Sequence, residues 1–166
     1  MRVQSVDTQM KYEVSKEIDD DKIDTLLEMV KNTHPLCWVY RDDLDSNRGI
    51  DGHTCKYGMM TYPAMPDEIK EYVREIAPRP DGYIISDIVI NKYSPGDYIG
   101  KHRDRAWYRM NKVIALQQEG DGIYIDDDDL FVEDVKGQSV TLFGAGPVHS
   151  VPPAKSLRYV LIYLYE

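Results

Sequence analysis

Mainly β with flanking helices is the fold class that the sequence predicts, and three observations carry it. From Tyr83 onward, short runs rich in Ile, Val, Leu and Tyr recur between Gly, Pro and Asp punctuation, the pattern of a sandwich or jelly-roll. Helical spacing is confined to two stretches in the first half. A chain of 166 residues is long enough for one core and too short for two of ordinary size. Residues 1–166 are therefore expected to form a single domain, with helices and a substrate-recognition lid in 1–82 and the β core in 83–166.

Taken in order, residues 1–17 are polar and mixed, a fraying arm or an edge strand. Ile23, Leu26, Leu27 and Val30 repeat at helical spacing behind Asp19, Asp20 and Asp21, where a helix N-terminus favours negative charge, so a helix is predicted over 20–31. Residues 36–40 read as a short strand, 42–52 as a polar loop, and 53–62 as a further strand or extended lid. His34 and His53 stand alone and are read as surface or packing residues. Pro66, Asp67 and Glu68 open a second helix whose stripe is Ile69, Tyr72, Val73 and Ile76, suited to the back of a sheet. Strands are then predicted over 83–93, 99–104, 113–118, 122–125, 130–135, 139–143 and 157–165. The acidic run Asp126 to Asp129 is read as a solvated hairpin loop. No internal repeat is present.

Composition excludes several classes. Lys plus Arg is 20 against 29 Asp plus Glu, a net charge of −9, which repels a polyanion at long range unless a local patch reverses the sign. The two cysteines, Cys37 and Cys55, form no CxxC pair and read as free thiols in a reducing compartment. No segment has the length and apolarity of a membrane span or leader, so a soluble, cytoplasmic protein is expected.

The chemistry is concentrated in residues 91–104. They read as strand, Pro95-Gly96 turn and second strand. On an extended backbone His102 and Asp104 project to one side and Arg103 to the other, so one imidazole and one carboxylate can grip one ion. A 2-His-1-carboxylate triad holds Fe(II) on one face and leaves positions open, and His149 is the candidate third ligand. Nine residues later Arg158 opens the apolar run 159–165, where its guanidinium can receive a carboxylate through two parallel hydrogen bonds.

The ordered set Asn91, Tyr93, Pro95, Gly96, Asp97, Ile99, His102 and Asp104, followed by His149 and Arg158, resembles the signature of AlkB-type Fe(II)/2-oxoglutarate dioxygenases over roughly residues 57–165. The resemblance implies a double-stranded β-helix (jelly-roll) core. It also implies Fe(II) held by His102, Asp104 and His149 as the catalytic ligands, with 2-oxoglutarate and O2 as cosubstrates. Arg158 would meet the far carboxylate of 2-oxoglutarate, with Asn91 and Tyr93 beside it. The sequence departs from that pattern twice. Leu164 stands where AlkB-type repair enzymes carry a second arginine, and the nine-residue return from His149 to Arg158 resembles prolyl hydroxylases instead.

Two substrates follow. Lys101, Arg103, Arg105, Arg109 and Lys112 surround Trp107 and Tyr108, a mixture of cations and rings suited to phosphates and a stacked base. This window predicts oxidative demethylation of a methylated nucleic-acid base. The net charge and the short return favour hydroxylation of a protein side chain, prolyl or other, or of an amino acid. A silent jelly-roll binding module is the remaining alternative, opposed by the intact ligand set.

Overall fold

The computed structural model describes residues 11–44 and 54–166. Among them lie eleven strands and two helices: β1 (Tyr12–Lys16), α1 (Asp20–Lys31), β2 (Val39–Leu44), β3 (Thr54–Thr61), α2 (Asp67–Glu75), β4 (Ile85–Tyr93), β5 (Tyr98–His102), β6 (Met110–Ala115), β7 (Gly122–Ile125), β8 (Leu130–Glu133), β9 (Gln138–Phe143), β10 (His149–Val151) and β11 (Arg158–Tyr165). The strands join as β1-β9-β6-β11-β4-β3-β5-β10-β7-β8, with β2 on β3. One half of β3 (Gly58 to Thr61) pairs with β4, while Cys55 and Lys56 pair with β5. The ribbon turns there from one layer into the other, which makes the fold a jelly-roll.

Strand alternation divides the side chains of the larger layer. Tyr159, Leu161, Tyr163 and Tyr165 of β11 and Ile88 and Ile90 of β4 face the helices, in one apolar cluster with Ile23, Leu26 and Val30 of α1 and Ile69 and Val73 of α2. Each such side chain, once buried, contributes about 1.5–3 kcal/mol. The Tyr163 hydroxyl donates to Val73 O and that of Tyr165 to Pro78 O, pinning α2 to the sheet. The opposite faces of β4 and β11 look between the layers. There Tyr93 and Val160 join Cys55, Tyr57, Ile99 and Val151, and Ile123 and Ile125 meet Val140 and Leu142.

The helix expected over 20–31 is α1. The polar arm forms edge strand β1 on β9, one of its two expected forms. Other strands differ from expectation for identifiable reasons. Residues 35–37 make a 3-10 turn in which the His34 Nδ1 accepts from Leu36 N, and the strand expected from 36 starts at Val39 instead. β6 begins at Met110, earlier than predicted, because its polar residues Asn111 and Lys112 have interior partners: Lys112, 4 % exposed, pairs with Glu17 and Thr141. The extension before residue 83 has two parts. Its helices back the sheet, whereas β3 supplies cavity wall. His53 and most of the loop 42–52 lie outside the described residues.

Candidate metal centre and cavity

Strand pairing brings the two histidines together. β10 lies between β5 and β7, and His149 sits directly opposite His102 in its antiparallel register with β5. Their rings are 4.3 Å apart at the centroids. Asp104 follows two residues after His102, past the strand end, where its N–H donates to Ala145 O in the glycine bend that precedes β10. Gly144 and Gly146 adopt φ of 58° and 68° in that bend, a conformation glycine takes at little cost. Asp104 Oδ1 lies 3.6 Å from His102 Nε2 and 3.4 Å from His149 Nε2. Among the described residues this is the group of His, Cys, Asp or Glu whose ligand atoms converge on one point.

The surroundings suit each of the three side chains to a cation. The Nδ1 atoms of His102 and His149 lie 2.8 and 2.9 Å from Gly100 O and Pro147 O. A carbonyl only accepts, so each Nδ1 donates and Nε2 is turned toward the shared centre. Burial alone would push the Asp104 carboxyl up, but the His102 and His149 imidazoles facing it reverse that and hold it well below the usual carboxylate range. The remaining oxygen, Oδ2, accepts from Asn111 Nδ2 at 2.9 Å. The acidic run holds β10 in place: Val148 N donates to Asp127, and the Ser150 hydroxyl to Asp126.

A cavity of about 470 Å³ opens over His102, Asp104 and His149, walled by Tyr57 and Met59 of β3, Asn91 and Tyr93 of β4, and Ile162 and Leu164 of β11. It offers two buried oxygens without partners, Asn91 Oδ1 and Asn111 Oδ1. Tyr93 stacks on Tyr57 at 5.6 Å, and burial pushes its phenol up to about 12. At neutral pH it keeps a proton to donate.

Arg158 departs from expectation. It stands opposite Tyr93 in the β4–β11 register, 2 % exposed, with its guanidinium carbon 5.1 Å from the Tyr93 ring. The two parallel hydrogen bonds expected to serve a cosubstrate are instead made to Asp134, from Nε at 2.6 Å and Nη2 at 3.0 Å. Burial opposes the charge on Arg158, and the Asp134 carboxylate overcomes it, pushing the guanidinium up. Of its three nitrogens, only Nη1 lacks a partner.

The basic window does not form one patch. Arg105, Trp107 and Tyr108 line the cavity mouth, with the Arg105 guanidinium 4.8 Å from the Trp107 ring and Trp107 73 % exposed. Lys101 lies exposed on β5. Arg103 turns away to Gly146 O and toward Asp127. Arg109 packs on Tyr83 and donates to Gly82 O, and Lys112 is inside the protein. The five cations are dispersed because Lys101 lies on β5, Lys112 on β6, and Arg103, Arg105 and Arg109 in the loop between those strands, each held by a different partner.

Sequence reasoning missed Asn111, Asp134 and Tyr57. Asn111 carries no signal, since it stands between Met110 and Lys112 ahead of the apolar run that begins at Val113. Asp134 carries none, since its partner lies 24 residues away.

No family model matches the chain, and no curated protein does. Solved structures do. A viral collagen prolyl hydroxylase from Paramecium Bursaria Chlorella virus-1, in complex with 2-oxoglutarate, is 16% identical with a TM-score of 0.59, over 94% of this chain and 96% of that one. A Pseudomonas putida prolyl-4-hydroxylase is 15% identical with a TM-score of 0.58, over 100% and 98%. A Trichoplax adhaerens prolyl hydroxylase, bound to a hypoxia inducible factor peptide fragment, is 13% identical with a TM-score of 0.62, over 99% and 87%. At such identities the likeness is one of fold. Among the described residues no helix is long and apolar enough to cross a membrane.

Proposed function

We propose that this protein is an Fe(II)- and 2-oxoglutarate-dependent oxygenase that hydroxylates a side chain of a protein or peptide. The observation that carries the chemistry is the convergence of two Nε2 atoms and one ionised carboxylate oxygen at the floor of a cavity. That donor set suits Fe(II) and leaves one side of it open. Bound iron would supply the redox chemistry that couples decarboxylation of 2-oxoglutarate to oxidation of a C–H bond.

The chain's own groups have assignable tasks. His102, Asp104 and His149 hold the ion. Arg158 Nη1 and the protonated Tyr93 hydroxyl receive the far carboxylate of 2-oxoglutarate, with Asn91 beside them. Val160 and Ile162, on the same face of β11, keep water from that pairing and so strengthen it. Arg105, Trp107 and Tyr108 at the mouth are left to meet the primary substrate.

Two observations support a peptide: the named activities of the similar structures, one of them holding a peptide fragment, and the dispersal of the basic window. A methylated nucleic-acid base is the second reading, favoured by the exposed Trp107 stacked with Arg105 at the mouth. Succinate release from 2-oxoglutarate, measured across proline-containing peptides, methylated oligonucleotides and free amino acids, decides between them. Peptide-dependent succinate with gain of one oxygen atom by mass spectrometry is the expected result. Release with oligonucleotides alone, or oligonucleotide binding that falls steeply with salt, would overturn the peptide reading.

A further inference from the structure

We infer that Asn111 is a positioning residue for the metal centre, holding Asp104 as a one-oxygen ligand. The inference rests on the metal site proposed above. Asp104 has two oxygens, and Oδ1 faces both imidazole Nε2 atoms at 3.4 and 3.6 Å. Oδ2 is turned away from them by the Asn111 amide, 2.9 Å distant. A carboxylate only accepts, so the nitrogen of Asn111 must be the end that faces Asp104, and Oδ1 of Asn111 must face elsewhere.

It is buried without a partner, in a residue that is 8 % exposed and lines the cavity. A residue present for packing alone would not leave a buried acceptor unpaired, since leucine fills the same space with no polar atom to desolvate. Asn111 projects inward because it alternates along β6 with Met110 and Lys112, and its neighbour two residues on, Val113, lines the same cavity. Without the amide donor, Oδ2 is free to turn toward the ion or toward solvent, and the carboxylate loses its single orientation. Partners of this kind to metal ligands commonly set affinity by about 10- to 100-fold.

The test is titration of the intact protein with Co(II), a substitute for Fe(II) that is stable in air, followed by its visible absorption. Asn111→Leu should weaken Co(II) binding by about 10- to 100-fold and shift the visible band, because the ligand geometry changes. If Asn111→Leu does not give the native far-UV spectrum, Asn111→Ala, which makes no packing demand, is measured in its place. An unchanged dissociation constant or an unchanged band in the folded variant overturns the inference. Failure of the wild-type protein itself to bind Co(II) would overturn the metal site and this inference together, so the two failures are distinguishable.

Discussion

Asp134→Ala is the substitution whose cost the structure sets most directly. Arg158 and Asp134 have side chains 3% and 9% exposed, joined by hydrogen bonds of 2.6 and 3.0 Å. Removing the carboxylate leaves Nε and Nη2 unpaired beside an Nη1 that already lacks a partner. A buried cation would then stand in the jelly-roll interior without a counter-charge, which costs about 3–5 kcal/mol. For a chain of this size that lowers the melting temperature by roughly 6–20 °C, a large share of a total stability of about 5–15 kcal/mol. Urea denaturation at neutral pH, with the slope checked for constancy, measures it. The double substitution Arg158→Met with Asp134→Leu should recover most of the loss, since neither charge remains to be desolvated. A cost below about 1 kcal/mol for Asp134→Ala would refute the reasoning, because surface ion pairs cost no more than that.

Three further outcomes are expected. His102→Ala or His149→Ala should abolish the visible absorption that anaerobic Fe(II) with 2-oxoglutarate gives at such a centre, and retention of the full band in both would remove them as ligands. Arg158→Lys keeps the charge but loses the unpartnered Nη1, so it should raise the apparent constant for 2-oxoglutarate while leaving metal affinity nearly unchanged. Burial alone would raise the Asp121 carboxyl, but hydrogen bonds from Lys155 N and from Ser156 hold it low. A carboxyl lowered in the folded state contributes stability above its unfolded value, about 3.9, and loses it as pH falls toward the folded value. Asp121→Asn should therefore be less stable than wild type at pH 7, with the gap narrowing below about pH 4 in urea midpoints; a gap constant with pH would contradict this.

What the sequence determined by itself was local. α1 is legible because helical periodicity and end charges act within a dozen residues, and its bounds match. β7 is legible in the same way, from four residues between turn signals. The inward direction of His102 follows from alternation along one strand. What only the tertiary structure decided depends on partners far along the chain. β10 is three residues between prolines, too short for any pattern, and it exists because β5 and β7 pair with it from both sides. Lys112 reads as a surface cation until Glu17, 95 residues away, is folded against it. Arg158 reads as a free fork until Asp134 occupies it. Periodicity records which face a side chain takes, because the backbone imposes it. It does not record what stands on the other side of that face, because closure of the jelly-roll decides that.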